Sequence, residues 1–258
     1  MLIQSTIKSK KRWGLIGAMF DPVINSFGVP ILAEEIENGE EIADKFSSLS
    51  RELRDADDHG GLVSEAWSRS KLAKDKSEYE KYGYTSFAKQ NLVSDERFNF
   101  MHDAAVKQIG KYLNMFARNP VTFDIGNSWC TIYGRGHYVP EHIHPNANLS
   151  CVFYGDASEG TGEIIFKNPM YPLFAMNHEA GFGLYSESVY VGPCKGMMIV
   201  FPSFVPHYTN AHEDDKERII FSCNARLKTE VSYMERFSED GKGADHRDDT
   251  LIEYKDIA

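Results

Sequence analysis

The chain has 258 residues, of which 42% are hydrophobic and 12% aromatic, and its formal net charge is −10. These values are typical of a folded globular protein and exclude a disordered chain. The acidic balance, with no basic stripe to offset it, excludes general binding to nucleic acid or to an anionic membrane surface. No apolar run reaches membrane-spanning length and no secretory signal is evident, so we expect a cytoplasmic protein.

Two amphipathic helices are predicted in the first 120 residues. Residues 19–36 come first and favour short strands broken by glycine and proline. A helix over residues 40–54 follows, because one face collects the apolar side chains at spacings of three and four: Ile42, Phe46, Leu49 and Leu53. The strongest helical pattern spans residues 95–118, where Asp95 can cap the N-terminus.

Two long loops and a charged tail are also predicted. Residues 55–92 are rich in Asp, Lys, Ser, Gly and Tyr, which indicates a long surface loop with some helix over 74–82. Residues 168–188 are aromatic and broken by glycine and proline, as expected of a loop over the mouth of a barrel. Residues 229–258 are strongly charged and predict a peripheral tail.

From Val121 onward the sequence pattern changes to short, apolar, β-rich segments separated by Gly, Pro, Asn and Asp. The predicted strands span residues 121–133, 148–154, 162–166, 189–191, 196–201 and 217–225. Short strands at this spacing favour an antiparallel barrel or jelly roll. We therefore predict an α+β, mainly β fold in a single domain over 1–258. Its jelly-roll core covers 121–228, and residues 1–120 supply helical support.

Three histidines in the β region have the spacing of a metal site. His142 and His144 are one residue apart, so on an extended segment both side chains face the same way. Pro140 and Pro145 favour that extended backbone. His207 comes shortly after an apolar run that predicts a buried strand. A third imidazole from a distant strand would close a facial metal site that keeps open positions for substrate and oxygen.

An arginine follows the last of these histidines. Arg218 comes eleven positions after His207, and strand alternation places it on one face with three further residues: Ile220, Ser222 and Asn224. Polar residues in register predict a lined cavity, in which a guanidinium can bind a carboxylate through two parallel hydrogen bonds. The alternative is a surface salt bridge to a nearby acid, Glu213 or Asp214.

The segment from Tyr133 to His144 resembles the iron-binding segment of prolyl 4-hydroxylase-type 2-oxoglutarate/Fe(II) dioxygenases, which carry a Tyr-Gly-x-Gly-x-x-Tyr-x-Pro-His-x-Asp pattern. The wider run resembles still more closely the 2-oxoglutarate/Fe(II)-dependent oxygenases common in marine bacteria and their phages. The matching pieces, in order, are 142–145, 149–154, 162–169, 201–207 and 218–224. The resemblance covers residues 120–225 well and 27–120 loosely. It implies a double-stranded β-helix, the cupin-like form of the jelly roll.

The resemblance also implies roles for particular residues. His142 and His207 correspond to ligands of Fe(II). Arg218 corresponds to the residue that anchors the distal carboxylate of 2-oxoglutarate, with Tyr133 as a second contact. Ser222, which the alternation puts on the same strand face as Arg218, is a further candidate contact for this co-substrate.

This chain departs from the prolyl hydroxylase pattern at one ligand, because His144 stands where those enzymes have an aspartate. His144 can complete a three-histidine site, which is the option we favour. A carboxylate from elsewhere can replace it, the candidates being Glu141, Asp156, Glu159 and Glu163. The third option leaves this position to water or an anion.

The leading hypothesis is an Fe(II)- and 2-oxoglutarate-dependent dioxygenase. It would hydroxylate an unactivated C–H bond of a peptide or protein side chain, or of a small metabolite, with release of succinate and CO2. One alternative is a three-histidine, cupin-type metal dioxygenase that does not use 2-oxoglutarate. Another is a non-catalytic binding or structural protein on the same fold. A homodimer is compatible with the sequence, but nothing in it requires one.

Overall fold

The computed structural model describes residues 23–26, 28–63, 72–87, 91–117, 121–171 and 187–228, which form a mainly antiparallel β protein with few helices. The strands are β1 (Val23–Ser26), β2 (Val29–Glu35), β3 (Gly61–Leu62), β4 (Tyr84–Thr85), β5 (Thr122–Tyr133), β6 (Leu149–Tyr154), β7 (Ile164–Lys167), β8 (Ser188–Val191), β9 (Met197–Pro202), β10 (His207–Thr209) and β11 (Arg218–Lys228). The α-helices within these ranges are α1 (Gly39–Ala56), α2 (Ser77–Tyr82) and α3 (Asn99–Phe116). The predicted mainly β character is confirmed.

The helices and strands largely follow the predicted pattern. α1 contains the helix predicted over 40–54, and each predicted strand of the β region has a counterpart. α3 begins at Asn99, later than predicted, because Asp95 caps a 3-10 turn over Glu96–Phe98 and accepts the N–H of Arg97 at 3.0 Å. β3, β4 and β10 are absent from the prediction, since strands of two or three residues are too short to show an alternation.

Some predictions fall outside the described residues. These are the parts of the 55–92 loop at 64–71 and 88–90, most of the loop predicted over 168–188, and the tail at 229–258. Within the first loop, α2 confirms the helix predicted over 74–82. The division of the chain into support, core and tail stays a prediction. Across the part of the chain that is described, no helix has both the length and the apolar character needed to cross a bilayer.

β11 lies near the centre of the larger of two sheets. That sheet has the strand order β1-β2-β9-β6-β11-β5-β4-β3, and the smaller sheet has the order β10-β7-β8. β11 pairs antiparallel with β5 along its whole length and with β6 over Ile220–Ala225. Because side chains alternate between the two faces of a strand, every second residue of β11 points into the space between the sheets.

The two faces of the larger sheet are buried by different elements. α1 and α3 cover the outer face, where the ring of Phe46 packs edge-on, at centroid distances of 6.0 to 6.2 Å, against Phe98, Phe153 and Phe221. On the inner face, Tyr133 and Ile220 share a buried cluster with Phe166 of the smaller sheet. A fully buried phenylalanine contributes roughly 1.5–3 kcal/mol through the hydrophobic effect. The helices therefore pack on the outer face of the larger sheet, and its inner face lines a cavity.

A group of ion pairs ties α1 to the start of β11. Glu217 accepts hydrogen bonds from both Arg51, at 2.9 Å from Nε, and Arg54. Arg51 also pairs with Asp156. Burial raises the pKa of the Glu217 carboxyl, but the hydrogen bonds and charges of the two arginines outweigh it and hold that pKa below its usual value. This network fixes the chain immediately before Arg218.

We expect Glu217→Gln to lower the free energy of unfolding by about 1 kcal/mol near neutral pH, because partly exposed ion pairs contribute modestly. A lowered pKa in the folded state stabilises the fold above the unfolded value of about 4.3, and this stabilisation is lost as pH falls through the folded value. Urea unfolding at several pH values should therefore show wild type and Glu217→Gln converging in acid. Glu41→Gln, an exposed change on the same helix, is the control, and an equal effect of both changes would contradict the network's role.

Candidate functional site

Three imidazoles meet between the two sheets. His142 and His207 form an isolated antiparallel bridge, with reciprocal N–H to carbonyl hydrogen bonds of 3.0 Å. His144 is fixed by its own N–H, which donates to the carbonyl of Ser203 at 2.9 Å. One ring nitrogen from each of the three histidines lies within 4.8 Å of the other two. The segment that carries His142 and His144 is thus held against β10 and the turn before it without being a regular strand.

Each of these rings has a fixed proton position. The Nδ1 of His142 lies 2.8 Å from the Pro140 carbonyl, and the Nδ1 of His207 lies 2.9 Å from the Val205 carbonyl. A carbonyl oxygen can only accept, so Nδ1 carries the proton and Nε2 carries the lone pair. The Nε2 atoms of His142 and His144 are 3.1 Å apart. Bonds of about 2.1 Å that meet near a right angle on one ion place two nitrogens roughly 3 Å apart, so the cluster fits a divalent metal.

All three histidines are neutral at physiological pH. Burial lowers the pKa of His142 to about 4 and also lowers the pKa of His144. The pKa of His207 lies well below its ordinary value, first because of burial and then because the other two imidazoles lie close to it. A metal ion requires the deprotonated form of an imidazole, so these rings need to release no proton before binding one.

Asn224 orients His144, a role that the sequence analysis missed. Its Oδ1 accepts from the Nδ1 of His144 at 2.6 Å and from the hydroxyl of Ser150 at 3.0 Å. Its side-chain amide donates to Asn127 at 3.0 Å, and the Ser150 hydroxyl lies 2.8 Å from that of Ser203. Alternation along β11 already places Asn224 on the cavity face. That His144 reaches it depends on how the 142–147 turn packs, which the sequence does not show.

Arg218 is a buried cation with spare hydrogen-bond donors. Its side chain is fully buried, and its guanidinium lies over the Tyr133 ring, 4.2 Å from the centroid. Nη1 donates to the carbonyl of Gly162. Nε and Nη2 are buried without a hydrogen-bond partner. Among the described residues no carboxylate pairs with Arg218, so the alternative of a surface salt bridge to Glu213 or Asp214 is wrong.

One cavity of about 620 Å³ is lined by the three histidines, Arg218 and Asn224. Its lining includes each residue singled out from the sequence: Tyr133, His142, His144, His207, Arg218 and Ser222. The carboxylates considered as a third ligand lie elsewhere: Glu141 pairs with Lys167 at 3.3 Å, Asp156 pairs with Arg51, Glu163 accepts from Asn210 and Glu159 is exposed. Among the described residues, none of them joins the histidine cluster.

Comparison with known proteins agrees with the resemblance drawn from the motifs. Residues 127–224 match the family model described as "Putative 2OG-Fe(II) oxygenase". The resemblance to this family is confirmed over this segment. No curated protein sequence matches the chain. The matched segment contains the histidine cluster, Arg218 and Asn224.

Several solved structures are similar to this chain at low sequence identity. A prolyl hydroxylase from Trichoplax adhaerens, in complex with a hypoxia inducible factor oxygen degradation domain peptide fragment, is 11% identical with a TM-score of 0.52, over 76% of this chain and 83% of that one. The non-haem α-ketoglutarate-dependent epimerase from nogalamycin biosynthesis is 12% identical with a TM-score of 0.53, over 83% and 84%. A Pseudomonas putida prolyl-4-hydroxylase is 15% identical with a TM-score of 0.48, over 76% and 91%. For the Trichoplax hydroxylase and the epimerase, the likeness extends to the fold alone.

Gly162 makes room for the Arg218 side chain, and this is testable. Its φ is +69°, and a Cβ at this position would overlap Nη1 of Arg218. Gly160 is a matched control, since its φ is +76° but nothing lies within 4 Å of the Cβ position. We expect Gly160→Ala to cost roughly 1–2 kcal/mol from the backbone conformation alone. Gly162→Ala should cost on the order of 1–3 kcal/mol more and should shift the Arg218 Nε–H resonance in NMR spectra. An equal loss of stability in the two variants, with no shift of the Arg218 Nε–H resonance in Gly162→Ala, would contradict the overlap.

The Asn224 contact is testable in the metal-free protein. Asn224→Leu removes the acceptor for Nδ1–H of His144, so nitrogen-15 NMR should show a mixture of the two imidazole tautomers. Asn224→Asp keeps an acceptor there and should preserve the single tautomer. Affinity for Zn(II), measured by calorimetry, should fall about 10–100-fold in Asn224→Leu only. A single Nδ1–H tautomer retained in the leucine variant would show that Asn224 does not orient this ring.

Proposed function

We propose that this protein is an Fe(II)- and 2-oxoglutarate-dependent dioxygenase that hydroxylates an unactivated C–H bond, with release of succinate and CO2. The observation that carries the proposal is the buried guanidinium of Arg218, which has two unpartnered nitrogens and shares a cavity with three convergent imidazoles. A buried charge without a counter-charge is costly, so a cavity of this kind fits a ligand that brings a carboxylate.

The strand arrangement supports a double-stranded β-helix as the scaffold. β5, β11, β6 and β9 are consecutive in the larger sheet, and β10, β7 and β8 form the facing layer. The bridge between His142 and His207 adds a further short pairing beside β10. The candidate ligands therefore come from the facing layer and the turn beside it, while Arg218 comes from the larger sheet. Binding sites in small barrels commonly lie at such a mouth.

The histidine cluster is proposed to hold the metal. His142, His144 and His207 present three neutral Nε2 atoms, which suit Fe(II) and leave coordination positions open. Bound iron with an α-keto acid and oxygen supplies the power to oxidise a C–H bond. The chain's own part is to orient the rings through Pro140, Val205 and Asn224 and to keep them unprotonated by burial.

Arg218 is proposed to bind the distal carboxylate of 2-oxoglutarate. Its free Nε and Nη2 form one edge of the guanidinium fork, and two parallel hydrogen bonds to a carboxylate fit such an edge. The Tyr133 ring stabilises the cation from below, and Ser222 lies on the same strand face as Arg218. Val152, Ile164 and Ile220 complete an apolar wall that excludes water around the bound acid.

The substrate stays open between a small metabolite and a peptide or protein side chain. The Trichoplax prolyl hydroxylase holds a peptide fragment, which keeps a peptide among the candidates. A metal dioxygenase that does not use 2-oxoglutarate is the second candidate function, because the described residues offer three neutral ligands and no carboxylate. The response of Arg218 to 2-oxoglutarate separates the two functions.

Anaerobic titration with Fe(II) and then 2-oxoglutarate tests the proposal directly. We expect a visible charge-transfer band in wild type, from the chelated keto acid. Arg218→Ala should still bind Fe(II) but should require at least about tenfold more 2-oxoglutarate, a loss of about 1.4 kcal/mol. His144→Ala should lose most of its affinity for the metal. Arg135→Ala removes an exposed arginine outside the cavity and is the matched control.

Two results would contradict the proposal. Iron binding without the band, and without any dependence on Arg218, would favour the dioxygenase that does not use 2-oxoglutarate. No binding of Fe(II) to wild type would leave a non-catalytic binding protein as the better account.

A further inference from the structure

The cavity continues past the histidines to a second arginine. Arg218, Ile220, Ser222, Asn224 and Arg226 are alternate residues on the inner face of β11, and all five line the cavity. Asn224 touches His144, so it marks the level of the histidine cluster along the strand. Arg226 is two residues beyond Asn224, in the direction away from Arg218. This places it about 7 Å further along the strand. If 2-oxoglutarate lies on the Arg218 side, the Arg226 side remains for the substrate.

The charge of the cavity is opposite to that of the protein. The chain has a net charge of −10, yet among the described lining residues the charged side chains are Arg218 and Arg226, and none is Asp, Glu or Lys. A concave site of one sign concentrates ligands of the opposite sign. The proposed co-substrate accounts for Arg218 but not for Arg226.

Arg226 is an exposed side chain with one hydrogen bond to the turn beyond His144. Its Nε donates to the carbonyl of Asn146 at 2.9 Å. Asn146 has a φ of +70° and lies in the turn that directly follows His144 and Pro145. The nearest acid in register across the sheet is Asp124, whose carboxylate pairs with Lys228. The terminal nitrogens of Arg226 therefore have no hydrogen-bond partner among the described residues, and they can bind an oxyanion.

Two aromatic side chains line the same cavity beside the metal ligand His144, and one of them, Trp129, pairs with Ser222 across the sheet. Trp129 stacks on the His144 ring, with centroids 5.9 Å apart and planes at 28°. Phe87, which is 46% exposed, packs edge-on against Trp129 at 4.8 Å. Such a wall favours a flat or apolar portion of a ligand.

We propose that the substrate is a small molecule that carries a carboxylate or phosphate, which Arg226 binds while the apolar part lies against Trp129. This inference rests on the proposed function, because it assigns the Arg218 end of the cavity to 2-oxoglutarate. The cavity volume of about 620 Å³ suits a small molecule, since the same space also receives the co-substrate. Arg226 is thus a specificity residue that selects for negative charge.

The test uses the 258-residue chain loaded with Zn(II) and 2-oxoglutarate. Benzoate, phenyl phosphate and the neutral benzamide are titrated separately, and NMR follows the Arg226 Nε–H, the Arg218 Nε–H and the Trp129 indole N–H. We expect at least one anion to shift the Arg226 and Trp129 signals with an affinity about tenfold or more above that of benzamide. Whichever of benzoate and phenyl phosphate binds with the higher affinity shows whether the site prefers a carboxylate or a phosphate.

Two variants make the outcome decisive. Arg226→Gln should abolish the preference for the anions, read at Trp129, whereas Arg135→Gln removes an equal charge outside the cavity and should retain it. Equal binding of benzamide and the anions, or an anion preference retained in Arg226→Gln, would overturn the proposal. A glutamate-containing tripeptide that binds about tenfold better than both anions would overturn the assignment to small molecules. The Arg218 signal reports 2-oxoglutarate separately, so failure of the proposed function is distinguished from failure of the Arg226 site.

Discussion

The guanidinium of Arg218 is a buried charge that the protein itself only partly compensates. Transfer of an unpaired ion out of water costs several kcal/mol even after the surroundings relax. The Tyr133 ring and the Gly162 carbonyl offset part of that cost, since a desolvated cation–π contact contributes about 2 kcal/mol. Two nitrogens remain without partners. A carboxylate ligand would complete the site and stabilise the folded protein through linkage.

Much of the surrounding fold positions this one side chain. β11 is central in the larger sheet, and the ion pairs of Glu217 with α1 fix the chain just before it. Gly162 leaves the volume that the guanidinium fills. The histidine cluster likewise leaves part of a positive charge, that of a bound metal ion, without a counter-charge from the protein. Three neutral imidazoles bring no negative charge to a divalent metal, so an anionic chelator would be attracted more strongly than at a site with a carboxylate ligand.

The sequence predicted the residues that alternation and spacing control. His142 and His144 face one way because they are one residue apart, and Arg218 and Ser222 share a face because side chains on a strand have a period of two. Contacts between distant segments were not predictable in the same way. The hydrogen bond from His144 to Asn224 depends on the packing of a turn against β11, and the donation from Arg218 to Gly162 depends on a loop with positive φ. Neither leaves a periodic signal in the sequence.

A crystal structure of the protein with Mn(II) and 2-oxoglutarate would test the central claim most directly, with anomalous scattering to locate the metal. The account predicts one metal bound by the Nε2 atoms of His142, His144 and His207, and a carboxylate of 2-oxoglutarate on Nε and Nη2 of Arg218. A metal held by other residues, or an Arg218 that binds only water while 2-oxoglutarate lies elsewhere, would contradict it.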